Sequence, residues 1–445
     1  MRKSNQKILN CIAINPQWHD EYFLSFPLGI ATIVSIVKLA GHNIQVVDFD
    51  AVRYEEDRKA AVLSGVSTKA DVVLLTGMIT NYKRIRDLSS LIKKMYIHCI
   101  VILGGSLATT APDSILKKMD IDVFVIGEGD ETIKILLETL SSKSSLRSVP
   151  GIKIKDNDNI YFTSPSLIPE IVEVPRPCYE EFPINRYVDF YKKTGQSFDI
   201  YTSKGCPSTC VYCYRISGNK VRYRAVNEVI KEILFIKESY QVNSFSFVDD
   251  NFGINKKWTY DFCDKVRDLN IRFRFQAFVN AFDENILDHL QKVGLAGVSV
   301  GMESASPLIL KEMSKRINLD KAAHLFSSLR KRNIKYNATF IIGMPGENDE
   351  SIEMTKEFLI HNGFTSNFQL FFITPYPGTK LYSDLITNGV IQDELEYIEN
   401  LGLQDNVNIN LTKYSLEKLV EWREYILGEV SPVKHAGATW KNVGL

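Results

Sequence analysis

The sequence lacks the features that mark nucleic-acid-binding, membrane or secreted proteins. Its 53 Lys and Arg residues balance 53 Asp and Glu residues, so no net charge favours a broad nucleic-acid surface. The apolar run Ile30–Ala40 is far shorter than the ~20 residues of a membrane span, and Ser35 and Lys38 interrupt it. No secretory signal opens the chain, and there is no internal repeat or low-complexity tract. We therefore expect a cytoplasmic protein that binds neither nucleic acid nor membrane.

Cysteine is also scarce, with seven residues in 445. Hydrophobic residues make up 45% of the chain, which is enough to build a sizeable core without disulfides. The cysteine count is odd, and three cysteines fall within eight residues. In a reducing compartment this clustering indicates metal or redox chemistry rather than disulfide bonds. The length predicts two or three domains.

Strand-like and helix-like segments alternate over the first 140 residues. A helix is predicted from Leu28 to Ala40, and helix-period residues run through Leu140. The predicted strands are Ile8–Ile14, Ile44–Phe49, Val72–Leu75, Ile100–Leu103 and Val123–Ile126. Apolar strands that alternate with helices predict a five-stranded, doubly wound parallel sheet over residues 1–142. Ligands bind such sheets at the carboxyl ends of the strands, where this sequence places several glycines.

A second alternation follows a polar break. Residues 143–196 are predicted to hold a hairpin, Val149–Thr163, and a proline-rich connector. Over residues 197–392 the predicted strands are Phe198–Thr202, Ser244–Val248, Arg272–Phe278, Gly297–Val300, Asn337–Ile342 and Asn367–Thr374. Six such units predict a partial (βα)6 barrel of the TIM type, with its chemistry at the carboxyl ends of the strands. Residues 393–445 are predicted to form a short helical C-terminal segment, with a helix over Ser415–Leu427.

The strongest chemical signal is the segment Cys206-Pro-Ser-Thr-Cys210-Val-Tyr-Cys213, directly after the first strand of the second alternation. Three thiolates on one loop can hold three irons of a cubane cluster and leave the fourth iron open to a small ligand. Structural zinc usually has four protein ligands, and no fourth cysteine or histidine lies nearby in the sequence. A zinc site is the alternative, because the fold could bring Cys178 or Cys263 to the three cysteines as the fourth ligand.

The pattern C-x-x-x-C-x-aromatic-C resembles the radical S-adenosylmethionine (SAM) superfamily. Four further segments resemble the members that carry an N-terminal cobalamin domain: Phe247–Phe252, Gly301–Ser304, Phe340–Glu347 and Tyr376–Thr379. The resemblance implies a 4Fe-4S cluster on Cys206, Cys210 and Cys213. It also implies that SAM binds the open iron and is cleaved by one electron to methionine and a 5′-deoxyadenosyl radical.

The same resemblance implies a set of residues that contact SAM: Tyr212, Asp249, Asp250, Glu303, Gly343 and Glu347. Tyr212 would place its backbone near the adenine, and Glu303 would face the ribose or the amino group. The glycine at position 343 permits a tight turn with close backbone approach to a ligand. Asp249 and Asp250 have an alternative role, because carboxylates at a strand end commonly cap the next helix.

For residues 1–142 the resemblance implies a Rossmann-like cobalamin-binding domain that begins near Pro27-Leu-Gly-Ile30. The residues matched to cobalamin contacts are Thr76, Gly77, Met78, Gly104, Gly105, Ser106, Gly127 and Glu128. One departure is clear, since no Asp-x-His-x-x-Gly motif follows the first strand, and His19 lies nearby without that pattern. We therefore expect cobalamin without a protein histidine on its lower face. The alternative is a flavodoxin-like domain that has lost its cofactor.

These interpretations predict an enzyme that methylates an unactivated carbon of a small-molecule or peptide natural product. An external electron donor, such as flavodoxin or ferredoxin, would reduce the cluster. Ring closure or rearrangement without methyl transfer uses the same cofactors, and the sequence does not separate the two. A tRNA methylthiotransferase is excluded, because that family needs a second cluster and residues 1–150 contain only Cys11 and Cys99. A non-catalytic zinc-binding sensor is the remote alternative.

Overall fold

The computed structural model describes residues 7–18, 23–52, 59, 62–63, 65–66, 69–166, 171 and 174–431. The chain divides into two compact units, Met1–Asp189 with Tyr382–Leu401 and Phe190–Leu381 with Gly402–Leu445. The finer division at residues 142, 196 and 392 stays a prediction. Within the described residues, no helix has both the length and the apolar character to cross a membrane.

The first unit contains one sheet of seven strands. They are β1 (Asn10–Asn15), β2 (Asn43–Asp48), β3 (Val72–Thr76), β4 (Ile100–Gly104), β5 (Val123–Val125), β6 (Ile152–Asp156) and β7 (Asn159–Phe162). Their order is β2-β1-β3-β4-β5-β6-β7, and the first five pair in parallel as predicted. The hairpin β6–β7 continues the same sheet with antiparallel pairing. Sequence reasoning had placed this hairpin outside the five-stranded sheet.

The parallel strands follow from nearly continuous apolar runs. Both β3 and β4 are buried along most of their length, as expected for strands covered by helices on both faces.

The helices along the described chain are α1 (Leu28–Leu39), α2 (Phe49–Val52), α3 (Tyr82–Met95), α4 (Gly105–Thr110), α5 (Asp113–Leu116), α6 (Asp130–Ser141), α7 (Ile184–Thr194), α8 (Val226–Tyr240), α9 (Lys256–Val266), α10 (Glu284–Lys292), α11 (Pro307–Glu312), α12 (Leu319–Lys331), α13 (Asp349–His361), α14 (Lys380–Thr387), α15 (Glu394–Asn400) and α16 (Leu416–Val430).

The second unit contains the predicted partial barrel. Its six strands are β8 (Phe198–Ile200), β11 (Ser244–Phe252), β12 (Arg272–Ala277), β13 (Leu295–Glu303), β14 (Lys335–Ile342) and β15 (Phe368–Phe372). They follow one another across the sheet in chain order, and every neighbouring pair is parallel. Two short strands, β9 (Ser203–Lys204) and β10 (Arg222–Tyr223), pair beside the cysteine segment. Helix α16 starts where predicted, because the Ser415 side chain accepts a hydrogen bond from Lys418 N.

Aromatic packing shows which face of the barrel sheet meets the helices. The rings of Phe247 and Phe273 stack at 5.3 Å, and both contact Phe262 of α9. Side chains alternate between the two faces of a strand, so Ser246 and Val248 face the opposite way, into the barrel. Val248 is 48% exposed although it lies within a central strand. The barrel interior is therefore open rather than filled by apolar side chains at this level.

Candidate functional site

The segment Cys206–Cys213, here called the cysteine loop, follows β9 and is anchored by backbone hydrogen bonds. Cys206 N donates to Gly218 O at 3.2 Å, and Val211 N donates to Met313 O at 3.1 Å. Gly205, just before the loop, has φ +94°, and a Cβ there would lie 2.4 Å from Lys220 O. Only glycine fits this position, so the backbone geometry fixes where the loop begins.

Asp249 supports the approach to the cysteine loop. Its carboxylate accepts hydrogen bonds from Thr202 N at 2.6 Å, from Ser203 N at 3.0 Å and from both hydroxyl groups of these residues. Burial raises the pKa of Asp249, while these donors favour its charged form. Four donors occupy the acceptor positions of the two oxygens. Asp249 therefore positions the backbone before the loop, and its predicted contact with SAM stays a prediction.

The helix-capping alternative for Asp249 and Asp250 is wrong for the helix that follows them. Helix α9 is capped by Asn255, whose side chain accepts a hydrogen bond from Trp258 N. Asp250 is instead exposed at the end of β11. Its charge raises the pKa of the Cys213 thiol, so its carboxylate acts on the cysteine loop.

The three thiols of the cysteine loop influence one another. Burial raises the pKa of Cys213, the neighbouring Cys210 and Cys206 add to this rise, and together they bring the pKa to about 11. Burial raises the pKa of Cys210 too, and Lys315 opposes that rise. Metal binding requires the thiolate, so a cluster that binds here displaces the protons of these thiols.

The donor set therefore fits a cluster in which each thiolate binds its own iron. The amide of Asn251 donates to the Cys206 sulfur at 3.0 Å. Hydrogen bonds of this kind tune the reduction potential of iron–sulfur clusters. Across the described ranges, no three His, Cys, Asp or Glu side chains already form a site for a single metal ion.

Glu303 and Lys315 form an ion pair next to the cysteine loop. Lys315 Nζ lies 3.1 Å from Glu303 Oε1, and both side chains are largely buried. Burial lowers the pKa of Lys315, but Glu303 and Cys210 more than reverse this effect, so the pKa is raised and the amine stays charged. A Cβ at Gly301 would lie 2.4 Å from Glu303 Oε1, so this glycine leaves room for the carboxylate.

Two further observations define this site. Glu303 has φ +66°, a left-handed conformation that is rare for a residue other than glycine and is often found at functional sites. Burial raises the pKa of the Tyr212 hydroxyl, and the nearby Glu303 and Cys210 raise it further. The structure therefore brings Tyr212, Glu303 and the cysteine loop together. Sequence reasoning missed Lys315, which lies in a polar stretch with no motif of its own.

Glu347 stabilises the turn that follows β14. Its Oε2 accepts hydrogen bonds from Gly343 N at 2.8 Å and from Met344 N at 3.3 Å. Burial raises the pKa of Glu347 to about 7, although these hydrogen bonds lower it. Gly343 has φ +99°, as expected for a turn that only glycine adopts easily. Glu347 is only 2% exposed and shapes this turn, while its predicted contact with SAM stays a prediction.

In the first unit, the residues matched to cobalamin lie at the carboxyl ends of the strands. Thr76 ends β3 and pairs with Gly104, which ends β4. Gly77 N donates to Gly104 O at 3.1 Å, and Leu107 N donates to Gly77 O at 2.9 Å. The remaining members of the set follow at the same edge, and Met78, Gly127 and Glu128 are part-exposed there.

The glycines at this edge serve two different purposes. A Cβ at Gly105 would lie 2.7 Å from Gly77 O, and Gly105 has φ +86°, so the fold itself requires this glycine. A Cβ at Gly104 would meet nothing closer than 4.0 Å, and one at Gly127 would meet nothing within 4 Å. Space therefore opens above Gly104 and Gly127.

Beside these glycines, the buried hydroxyl of Ser106 has no hydrogen-bond partner among the described residues. Open backbone next to an unpartnered hydroxyl fits the approach of a large polar cofactor such as the nucleotide tail of cobalamin. His19 lies outside the described residues, so its predicted absence from the lower face of cobalamin stays a prediction.

Comparison with known proteins agrees with the groups of residues described in each unit. Residues 200–359 match the radical SAM superfamily, and residues 22–137 match the B12 binding domain. An uncharacterized methyltransferase of Pyrococcus horikoshii is 30% identical over 375 residues, covering 82% of this chain and 79% of that protein. An anaerobic magnesium-protoporphyrin IX monomethyl ester cyclase of Synechocystis is 25% identical over 376 residues, covering 82% and 74%.

A solved structure shares the fold. The radical SAM methyltransferase TsrM of Kitasatospora setae superposes with a TM-score of 0.73 at 16% identity, covering 86% of this chain and 75% of that one. The fold and site define a radical SAM enzyme. More particularly, the chain belongs to the radical SAM family whose members carry a B12-binding domain. Its cofactors are a 4Fe-4S cluster, SAM and cobalamin.

Proposed function

We propose that the protein is a cobalamin-dependent methyltransferase that acts on an unactivated carbon of a small-molecule or peptide substrate. The observation that supports this most is the presence, in one chain, of a cysteine loop with its Glu303–Lys315 ion pair and of an open glycine edge in the B12-binding domain. The similarity to the Pyrococcus methyltransferase supports it further. When bound, the cluster and SAM supply a carbon-centred radical and cobalamin supplies a methyl group.

The protein's own contribution is to hold and orient these groups. In this proposal, the three thiolates of the cysteine loop hold the cluster, and Asn251 donates to the sulfur of Cys206. Lys315 would bind the carboxylate of the methionine part of SAM, and Glu303 would accept a hydrogen bond from its amino group. The resting ion pair keeps both buried charges balanced before SAM arrives, because an unpaired buried charge is costly.

Other predicted contacts keep narrower roles. Tyr212 and the turn at Gly343 present backbone to the adenine, and Asp250 contacts SAM or the substrate from the end of β11. On the cobalamin side, Ser106 donates to the nucleotide tail, while Gly104 and Gly127 leave room for it. Thr76, Met78 and Glu128 complete that edge.

Methyl transfer is tested with SAM carrying an isotopic label in its methyl group. Anaerobic protein, loaded with cluster and cobalamin, is incubated with a strong reductant and candidate substrates, and products are screened by mass spectrometry. We expect a labelled product together with both 5′-deoxyadenosine and S-adenosylhomocysteine, since one SAM makes the radical and another supplies the methyl group. The protein with all three loop cysteines changed to alanine is the control.

Ring closure or rearrangement is the second candidate, and the similarity to the Synechocystis cyclase favours it. The same assay separates the two functions. Substrate conversion with 5′-deoxyadenosine, but with neither label in the product nor S-adenosylhomocysteine, would establish the second function. A protein that purifies anaerobically with zinc and forms no cluster on reconstitution would instead be the zinc-binding sensor.

An external one-electron donor is part of the proposal. Cleavage of SAM needs one electron at the cluster, and a protein donor is the expected source of that electron. A flavodoxin or ferredoxin in the cytoplasm would supply it. Replacing the chemical reductant by reduced flavodoxin should sustain SAM cleavage, and failure with every protein donor tested would contradict this part.

A further inference from the structure

The interior face of the partial barrel carries neutral amide side chains where an apolar filling would be expected. Tyr336 of β14 contacts Phe326 of α12, and Phe372 of β15 lies under Arg423 of α16, so these residues face the helices. Because side chains alternate along a strand, Asn337 and Gln369 face the barrel interior. By the same alternation Gln276 faces inward, since both of its neighbours in β12 are buried.

Strand register brings these side chains to adjacent levels. Gln276 pairs with Ser299 of β13, and Ser299 pairs with Asn337. One step toward the carboxyl ends, Thr339 pairs with Gln369. Gln276, Asn337 and Gln369, here called the amide row, therefore lie across three strands of the face that leads to the cysteine loop. Neither the amide row nor its two hydroxyl neighbours carries a charge.

Two members of the amide row, Asn337 and Gln369, have side-chain acceptors without donors. Asn337 is only 6% exposed, and its Oδ1 has no hydrogen-bond partner among the described residues. The buried Oε1 of Gln369 likewise has no partner in the described part of the chain. Nearly all buried polar groups in folded proteins are paired, so two unpaired acceptors on neighbouring strands call for a donor that binds there. Gln276 is exposed within the same face, which shows that the interior is accessible.

We propose that the amide row binds a neutral part of the methyl-accepting substrate that carries N–H or O–H donors. This inference rests on the proposed function and names the substrate class. An anionic group is disfavoured because its oxygens bring no donor for these two acceptors, even where they accept from the NH2 groups. A wholly apolar substrate is disfavoured too, because it would leave these acceptors unpaired, and sites built for hydrogen bonds reject ligands that lack them. The donors belong either to an amide or to hydroxyl groups.

The first test measures stability without any ligand, in protein loaded with cluster and cobalamin. The variant Asn337→Leu keeps the side-chain shape and removes the unpaired acceptor, and Gln369→Met does the same. We expect the melting temperature of the double variant to stay the same or to rise, since function at a site often costs stability. The matched control is Asn362→Leu, where a buried amide donates to Phe358 O at 2.8 Å and should lose stability when replaced.

The second test measures binding by ligand-observed NMR with three probes. N-acetylglycinamide supplies amide donors, glycerol supplies hydroxyl donors, and methyl butyrate supplies none. We expect one of the first two to bind, to identify the source of the donors, and to bind about tenfold more weakly to the double variant, the effect of one lost hydrogen bond of ordinary strength. Methyl butyrate should bind to neither protein.

Three outcomes would overturn the inference. The first is a loss of stability in Asn337→Leu as large as in Asn362→Leu, which would show that water already pairs the amide row. The second is binding of methyl butyrate as tight as that of the donor probes. The third is no binding by any probe. None of these measurements uses SAM cleavage or methyl transfer, so failure here leaves the label-transfer assay to judge the proposed function separately.

Discussion

Replacing Lys315 by methionine tests whether the Glu303–Lys315 ion pair recognises SAM. The side chain of Lys315 is 19% exposed and that of Glu303 is 9% exposed, so the charges are only partly desolvated. Removing one partner of a buried charge pair costs about 2–5 kcal/mol, and the residual exposure of Lys315 places this case near the lower limit. A loss of ~2 kcal/mol corresponds to a roughly 30-fold increase in the Kd for SAM. Calorimetric titration of SAM into unreduced, cluster-loaded protein measures this value.

Two controls separate recognition from folding. Lys311→Met removes an exposed lysine four residues earlier and should leave the Kd unchanged. The double variant Glu303→Gln, Lys315→Met leaves no unpaired buried charge, so its melting temperature should exceed that of Lys315→Met while its SAM affinity stays low. A folded Lys315→Met protein that binds SAM with the original Kd would refute the reasoning.

Three further predictions concern the other parts of the site. Gly104→Leu should reduce retention of hydroxocobalamin through gel filtration without lowering the melting temperature. Gly105→Ala should lower the melting temperature, because its Cβ would lie 2.7 Å from Gly77 O. Equal losses of stability in the two variants would contradict this prediction. In the folded protein the pKa of Glu347 is raised from its ordinary 4.5 to about 7. The protonated Glu347 side chain therefore contributes to the free energy of unfolding, and this contribution is fully present below pH 4.5. That contribution, on the order of 3 kcal/mol, should be lost as the pH rises to 7, and denaturant titrations of Glu347→Gln should lack this slope. Alanine at all three loop cysteines should abolish iron binding and SAM cleavage, while Cys178→Ala and Cys263→Ala should retain both.

Strands were the most predictable part of the fold, because each is a short apolar run bounded by turn residues. The predicted Val72–Leu75 and the observed Val72–Thr76 differ by one residue. The hairpin was also predicted, but its attachment to the sheet was not. Its pairing with β5 joins Val125 to Ile152, residues that local periodicity does not relate. Such contacts depend on tertiary packing, which a pattern along one chain does not encode.

Motifs located the site but did not assign the role of each carboxylate. Asp249 and Asp250 are neighbours in sequence, yet one is buried under four hydrogen bonds and the other is exposed beside the cysteine loop. Successive side chains of a strand point to opposite faces, so this difference follows once the register of β11 is known. A shift of one residue in that register would exchange the two roles.

The same reasoning explains why Lys315 was missed and why it matters. A lysine after a short helix has no recognisable pattern in the sequence, because its role depends on where the chain lies after α11. In the structure Lys315 lies beside Glu303. The left-handed backbone of Glu303 and the glycine at position 301 let the carboxylate point toward Lys315. In the proposed function these two charges recognise the carboxylate and the amino group of SAM. The motifs therefore identify the cofactors and include Glu303, while its ion-pair partner Lys315 comes from a part of the chain that no motif covers.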